Sequence, residues 1–236
     1  MYIEVNGLKI NYQIIGRGQP ILLVHGWGGS QQSMQPLANL LQNKFQVITL
    51  DLPGFGESTN PPQSWGVEGY SQFIVTFIDR LKLNKVIYFG HSFGGSLGIY
   101  VAANHSDVLK RLILCNTSFE RIKPVSPLAK RISFLPDWLK IILYKVFYPA
   151  SDISRYPHLM QNFKKIMQQD LAYLFPKITT QTQIIWGQDD KITPVRMAKV
   201  LAASISRSKL AIVPGEGHGL PLKSPQKVVD IILNNA

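Results

Sequence analysis

Short runs of aliphatic and aromatic residues recur along most of the chain, and amphipathic stretches separate them. Each run is apolar on both faces, which is typical of parallel strands that helices cover on both sides. The six predicted strands are Ile21–His25, Val47–Leu50, Val86–Phe89, Leu112–Cys115, Gln183–Trp186 and Ala211–Val213. The predicted helices are Met34–Gln42, Val67–Leu81, Gly95–Asn104, Val195–Ser204 and Gln226–Leu233. This alternation predicts an α/β protein with a mostly parallel sheet.

The start of the chain follows a different pattern, in which apolar and polar positions alternate. Two segments of this kind, Tyr2–Val5 and Leu8–Ile15, flank Asn6 and Gly7, a dipeptide that favours a tight hairpin turn. We therefore expect an antiparallel hairpin before the parallel strands. The two patterns together predict a mostly parallel eight-stranded sheet with helices on both faces.

One long interval lacks any strand pattern. Residues 118–169 contain short amphipathic runs, such as Asp137–Phe147 and His158–Gln168, and prolines separate these runs. We interpret the interval as a helical cap inserted into a core that residues 1–117 and 170–236 form. Because the insertion leaves the sheet at the carboxyl end of a strand, where ligands of open α/β sheets bind, we expect it to cover the site.

Composition narrows the class of protein without identifying it. Apolar residues make up 45% of the 236 residues and charged residues 17%, which suits a globular core and excludes disorder. A single cysteine, Cys115, excludes a disulfide framework, and no histidine pair has metal-ligand spacing. The chain shows no secretory signal and no uncharged apolar run of roughly 18 residues, the length of a membrane span. These features predict a cytoplasmic protein without a metal or a membrane span.

The clearest chemical signal is the segment Gly90-His91-Ser92-Phe93-Gly94-Gly95, between a predicted strand and a predicted helix. A glycine-x-serine-x-glycine sequence in this context forms a sharp turn that exposes the serine at the strand end. The helix behind it offers a backbone N–H and the positive end of its dipole to a developing oxyanion. Ser92 is therefore the candidate nucleophile.

A nucleophilic serine needs a base, and the base needs an acid that orients it. His218 lies in a glycine-rich segment after the last predicted strand, at the same sheet edge as Ser92, and is the candidate base. Asp189 and Asp190 follow the preceding strand at that edge, and either could be the acid. The order serine, aspartate, histidine along the chain is that of α/β-hydrolases.

Four motifs along nearly the whole chain resemble the α/β-hydrolase superfamily. They are His25-Gly26-Trp27-Gly28, the segment DLPGFGES that begins at Asp51, the serine turn, and Gly187-x-x-Asp190 with Gly217-His218. The resemblance implies that Asp190 is the acid, because the acid of this family usually lies three residues after that glycine. It also implies an oxyanion hole made by the backbone N–H groups of Trp27 and Phe93. The glycines on both sides of Trp27 favour the same interpretation, since they free the backbone at a strand end.

The His-Gly-Trp-Gly motif is similar to that of the pimeloyl-carrier-protein methyl esterases and related carboxylesterases. This resemblance implies a serine carboxylesterase for small or medium acyl esters, with the triad Ser92, Asp190 and His218 and an acyl-enzyme intermediate. No cofactor is expected, because the chain has neither a complete dinucleotide fingerprint nor a Walker motif. Lactone hydrolysis, C–C bond hydrolysis and perhydrolysis share this triad and stay open, as does a hydrolase-like receptor with slow turnover.

The charge of the chain is uneven. The net charge of the chain is +11. Residues 118–169 hold nine basic and three acidic side chains, so more than half of the net charge lies on the predicted cap. Such a surface is either a solvated helix face or one that attracts an acidic substrate or an acidic carrier protein. Nucleic-acid binding is not favoured, because no nucleic-acid-binding motif accompanies the charge.

Overall fold

The computed structural model describes residues 1–61, 64–120 and 155–234, which form a sheet of eight strands with helices on both sides. The strands are β1 (Tyr2–Val5), β2 (Leu8–Ile15), β3 (Pro20–Val24), β4 (Gln46–Leu50), β5 (Val86–His91), β6 (Leu109–Cys115), β7 (Thr182–Gly187) and β8 (Ser208–Val213). The helices are α1 (Gln31–Leu41), α2 (Val67–Arg80), α3 (Phe93–Asn104), α4 (Met160–Gln168), α5 (Val195–Ser204), α6 (Leu220–Lys223) and α7 (Pro225–Asn234). Short 3₁₀ helices cover Ser106–Val108, Pro157–Leu159 and Ala172–Lys177.

The order of the strands across the sheet is β1-β2-β4-β3-β5-β6-β7-β8. β1 with β2 and β2 with β4 are antiparallel pairs, and the other neighbours are parallel. Asn6 and Gly7 both have positive φ, 51° and 78°, as a tight hairpin turn requires. The sheet confirms the predicted fold class.

The core consists of two apolar clusters on opposite faces of the sheet. Leu22 and Val24 of β3 pack in one cluster with residues of α2, α3 and α5. Ile21 and Leu23 of the same strand pack in the other with residues of α1 and α7. Successive side chains of a strand point to opposite faces, so a strand covered on both sides must be apolar at every position. This burial explains the continuous apolar runs of the sequence.

Element boundaries differ from the predicted ones where polar residues lie at the ends. α1 begins at Gln31 rather than Met34, because Ser30 caps it and the Ser30 N–H donates to Ser33 Oγ at 3.3 Å. β8 begins at Ser208 rather than Ala211. It is an edge strand with partly exposed side chains, so polar residues occupy positions that are apolar in the inner strands.

The predicted cap lies largely outside the described residues. The run Asp137–Phe147 lies outside the described residues, whereas the run His158–Gln168 corresponds to the end of a 3₁₀ helix and to α4. Leu159 and Phe163 of this described part are buried. The division into core and cap stays a prediction. In the part of the chain that the structure describes, no helix is long and apolar enough to cross a membrane.

Candidate active site

Ser92 lies at the turn between β5 and α3 in a conformation that few residues other than glycine adopt. Its φ and ψ are 51° and −113°, and the residue is partly exposed. The backbone packs so tightly here that a Cβ at Gly90 would lie 2.4 Å from the Gly94 carbonyl oxygen, and one at Gly94 would lie 2.4 Å from the Val24 carbonyl oxygen. The two glycines therefore make possible the sharp turn that presents the serine hydroxyl.

His218 reaches Ser92 from the loop after β8. Its Nε2 lies 3.0 Å from Ser92 Oγ, and its Nδ1 lies 2.8 Å from Asp190 Oδ2. The side chain is 19% exposed, whereas that of Asp190 is fully buried. A carboxylate accepts the Nδ1–H, which leaves the Nε2 lone pair directed at the serine hydroxyl. The structure thus brings the three predicted side chains together in the order that a base-activated nucleophile requires.

Asp190, and not Asp189, faces His218. Asp189 is exposed, and its backbone N–H donates to the Glu216 carbonyl oxygen at 2.8 Å. Asp190 turns inward, and its Oδ1 accepts the backbone N–H groups of Ile192 and Thr193 at 2.8 and 2.9 Å. This turn places Oδ2 toward the histidine.

The electrostatic environment keeps Asp190 charged despite its burial. Burial raises the pKa of this carboxyl, but hydrogen bonds from His218, Thr193 and Asn116 and the charge of His218 outweigh burial and lower the pKa to about 2. A charged carboxylate at this position holds the Nδ1–H tautomer of His218 and stabilises the imidazolium form.

Sequence reasoning missed two residues that hold Asp190, the candidate acid. Asn116 Nδ2 donates to Asp190 Oδ2, and Thr193 Oγ1 donates to the same oxygen at 2.6 Å. Thr193 Oγ1 also lies 3.2 Å from His218 Nδ1. Only their positions in the sequence could have indicated these two residues. Asn116 directly follows β6 at the sheet edge of Ser92, and Thr193 lies three residues after Asp190.

The candidate oxyanion hole borders Ser92 on two sides. Phe93 is the first residue of α3, and the first N–H groups of a helix have no partner within that helix. A Cβ at Gly26 would lie 3.1 Å from Ser92 Cβ, so the peptide that carries the Trp27 N–H starts beside the serine. Both predicted donors therefore belong to backbone next to the nucleophile.

An aromatic cluster lies around Trp27. Its ring centroid is 5.0 Å from that of Phe55, 5.7 Å from that of Phe93 and 5.1 Å from that of Phe163. Tyr156 packs on Phe55 at 5.0 Å and donates its hydroxyl to the Gly28 carbonyl oxygen at 3.3 Å. Tyr156 and Phe163 belong to the interval predicted as the cap. The described end of that interval therefore contacts residues 26–28, which we call the candidate oxyanion loop.

Buried polar groups hold the loops behind the site. His25 Nδ1 donates to the Gly26 carbonyl oxygen at 2.7 Å, and its Nε2 accepts the Leu52 N–H at 3.0 Å. Burial lowers the pKa of His25, so the ring is neutral and bridges the two loops. Asp51 is also buried, and its carboxylate accepts the Gln31 N–H at 2.6 Å.

Cys115 and His158 have nucleophilic or metal-binding side chains that take no part in this arrangement. Cys115 is buried, and burial raises the pKa of its thiol, so it is a protonated core residue. His158 Nε2 donates to the Gly54 carbonyl oxygen at 3.2 Å. Among the described residues, no group of three or more histidine, cysteine, aspartate or glutamate side chains is arranged to hold a metal ion.

Comparison with known proteins places the chain in a family. The family model of the alpha/beta hydrolase fold matches residues 19–154, more than half of the chain, so the chain belongs to this family. The chain is 24% identical, over 99% of its length and 89% of the relative, to a 2-hydroxy-6-oxo-6-(2'-aminophenyl)hexa-2,4-dienoic acid hydrolase of Metapseudomonas resinovorans. It is 27% identical, over 92% of its length and 77% of the relative, to monoacylglycerol lipase ABHD6 of Mus musculus.

Solved structures share the fold. The enol-lactonase of Burkholderia xenovorans LB400 superposes with a TM-score of 0.79 at 23% identity, over 99% of this chain and all of that one. These relatives and neighbours are hydrolases, and they act on different bonds according to their names. The narrower resemblance to carrier-protein methyl esterases stays a prediction.

Proposed function

We propose that the protein is a serine hydrolase that cleaves carboxylic esters of small or medium acyl groups. The observation that carries the proposal is the continuous hydrogen-bonded arrangement from Ser92 Oγ through His218 to Asp190 Oδ2, with distances of 3.0 and 2.8 Å. Because Ser92 lies at a strained turn beside two backbone segments with candidate oxyanion donors, the arrangement suits attack on a carbonyl group.

The reaction proceeds through an acyl-enzyme. His218 Nε2 accepts the proton of the Ser92 hydroxyl as Oγ attacks the ester carbonyl carbon, and the N–H groups of Trp27 and Phe93 stabilise the oxyanion. His218 then gives this proton to the leaving alcohol oxygen, and the C–O bond breaks. Water, deprotonated by His218, attacks the acyl-enzyme, and the carboxylic acid leaves as Ser92 regains its proton. Asp190 orients the histidine throughout.

The test combines active-site labelling with turnover. A fluorophosphonate probe is expected to label the protein with a stoichiometry of one at Ser92, and p-nitrophenyl esters of increasing acyl length are expected to be turned over many times. Ser92→Ala and His218→Ala are expected to lower kcat about 10⁴–10⁶-fold with an unchanged circular dichroism spectrum. Absence of labelling and of turnover in the wild type would contradict the proposal.

The same experiment separates the related reactions. One relative is named as a hydrolase of a 2-hydroxy-6-oxo-dienoic acid and one structural neighbour as an enol-lactonase, so a vinylogous diketone acid and an enol lactone belong in the substrate panel. A kcat/KM for either that exceeds the best ester by 100-fold or more would identify that substrate class. A single slow turnover with retained ligand would indicate a receptor, and salt-sensitive nucleic-acid binding without labelling would indicate a binding module.

A basic cap that attracts an acidic substrate or carrier protein is a further part of the proposal. The supporting observation is the uneven charge of residues 118–169, of which Lys164 and Lys165 lie in the described α4. Exposed charges are screened beyond about 8 Å at physiological salt, so kcat/KM for an acidic carrier-linked ester is expected to fall with salt while that for a neutral ester stays constant. Equal salt responses would contradict the idea.

A further inference from the structure

His91 is a buried imidazole that the proposed mechanism does not use. It lies between Gly90 and Ser92 at the end of β5 and is 7% exposed. Its Nε2 lies 2.8 Å from the backbone carbonyl oxygen of His218, and the two imidazole rings lie 5.0 Å apart. On the other side of the ring, a Cβ at Gly26 would lie 3.2 Å from His91 Nδ1. His91 thus lies between the loop of the candidate base and the candidate oxyanion loop.

The protonation state of His91 follows from its surroundings. Burial, followed by the charge of His218, lowers the pKa of His91 to about 3; the hydrogen bond to the His218 carbonyl and the charge of Asp190 oppose this, and His25 adds to it. The ring is therefore neutral near pH 7 and carries one N–H. Because a carbonyl oxygen only accepts hydrogen bonds, this N–H is on Nε2 and donates to His218.

The ring of His218 is anchored through Nδ1 to Asp190 Oδ2 at 2.8 Å, and the other described anchors of the loop backbone lie at the residues around it. The Glu216 carbonyl oxygen accepts the Asp189 N–H at 2.8 Å, and the Glu216 carboxylate accepts from Lys227 Nζ at 2.6 Å. These bonds hold Glu216, two residues before the histidine, and the carbonyl oxygens of Gly217 and Gly219 accept the N–H groups of Leu220 and Leu222 at 3.1 and 3.0 Å. The bond from His91 holds residue 218 itself. It therefore limits where the Nε2 of His218 can lie relative to Ser92 Oγ.

We propose that His91 is a positioning residue, which donates its Nε2–H to the His218 carbonyl oxygen and thereby aligns the base with the serine. The proposal rests on the proposed function, since alignment matters only if His218 takes the Ser92 proton. His91 itself moves no proton. His91 directly precedes Ser92 in the chain. The strand that presents the candidate nucleophile therefore also holds the candidate base in place.

The test replaces His91 by residues that keep or lose the donor. His91→Phe keeps a ring of similar size without an N–H, and His91→Gln places an amide N–H near the position of Nε2. We expect His91→Phe to lower kcat about 10–100-fold while KM changes little, because misalignment of a base affects mainly the transition state. The rate of fluorophosphonate labelling at Ser92 is expected to fall in parallel. His91→Gln is expected to restore most of kcat and of the labelling rate.

Controls separate positioning from packing. His105→Phe, at the far end of α3, makes the same substitution away from the site and is expected to leave kcat unchanged. If His91→Phe does not fold, His91→Asn replaces it, because its shorter amide corresponds to Nδ1 and does not reach the His218 carbonyl.

Each outcome bears on the proposal. Wild-type kcat in His91→Phe, or an equal loss of kcat in the variants with and without the donor, would overturn it. A wild-type protein that neither hydrolyses any substrate nor labels at Ser92 would instead overturn the proposed function, so the two failures are distinguishable.

Discussion

Two buried aspartates lie at the same edge of the sheet, and their hydrogen-bond partners differ. Asp51 follows β4, and its carboxylate accepts the N–H groups of Gln31 and Glu57 and the side-chain amide of Asn11, at 2.6, 3.0 and 2.9 Å. Asp190 follows β7 and also accepts two backbone N–H groups on Oδ1, but its Oδ2 faces His218.

The comparison shows why the same type of side chain supports the fold at Asp51 and the proposed chemistry at Asp190. Every donor to Asp51 keeps its proton at ordinary pH, so this carboxylate closes the loop from Asp51 to Ser58 and joins it to β2 and to the start of α1. One donor to Asp190 is an imidazole whose other nitrogen faces Ser92. Both carboxylates accept two backbone N–H groups and one side-chain amide, so these donors do not distinguish the two aspartates. The acid–base chemistry of a single partner does.

The largest predicted difference in kcat is the one between Asp190→Asn and Asp189→Asn. Asp190→Asn replaces the acceptor of the His218 Nδ1–H by a group that favours the wrong tautomer, so kcat is expected to fall about 10⁴-fold. Asp189→Asn is the matched control, since that side chain is exposed and surface changes typically alter stability by less than about 0.5 kcal/mol. A larger loss in Asp189→Asn, measured by steady-state hydrolysis, would reverse the assignment of the acid.

Asp51→Asn is expected to act on stability instead. Its new amide group cannot accept from Asn11 and Glu57, and an unsatisfied buried donor costs about 1–3 kcal/mol. Denaturant unfolding is expected to show a loss of unfolding free energy of this size. The kcat is expected to stay within roughly tenfold of wild type, a factor that corresponds to about 1.4 kcal/mol. A kcat loss as large as that of Asp190→Asn would show that Asp51 belongs to the chemistry after all.

Acid unfolding is expected to report the environment of Asp190. Its pKa is about 2 in the folded protein against an ordinary value of 3.8, so the charged form stabilises the fold above about pH 4. This stability, on the order of 2 kcal/mol, is lost as the pH falls from about 4 to 2. The difference in unfolding free energy between wild type and Asp190→Asn is therefore expected to shrink over that range. A difference independent of pH would contradict the lowered pKa.

A smaller loss of kcat than that of Asp190→Asn is expected at Thr193, which donates to Asp190 without contacting the serine. Thr193→Val keeps the shape of the side chain but removes the hydroxyl that donates to Asp190 Oδ2 at 2.6 Å. Hydrogen bonds to charged groups contribute about 1.5–3 kcal/mol, so kcat is expected to fall about 10–100-fold. Thr193→Ser retains the hydroxyl and is expected to retain kcat. Equal losses in the two variants would assign the effect to packing of the methyl group.

Local rules explain which features of the site were accessible from the sequence. The turn at Ser92 depends on contacts among residues 90–95 and on a strand and a helix that their own patterns predict. The placement of His218 and Asp190 followed from the parallel sheet, because all parallel strands end at one edge. Neither rule distinguished Asp189 from Asp190, and that choice depended on a family resemblance.

The sequence by itself determined the alternation of strands and helices, the hairpin and the choice of Ser92 as the candidate nucleophile, because each depends on periodicity or on turn chemistry within a few residues. Only the tertiary structure decided which aspartate turns inward and which groups support it. Asn116 meets Asp190 across 74 residues, and His91 meets His218 across 127. Such contacts depend on the register of neighbouring strands and on the path of the loops between them, and no local pattern in a single chain encodes either one.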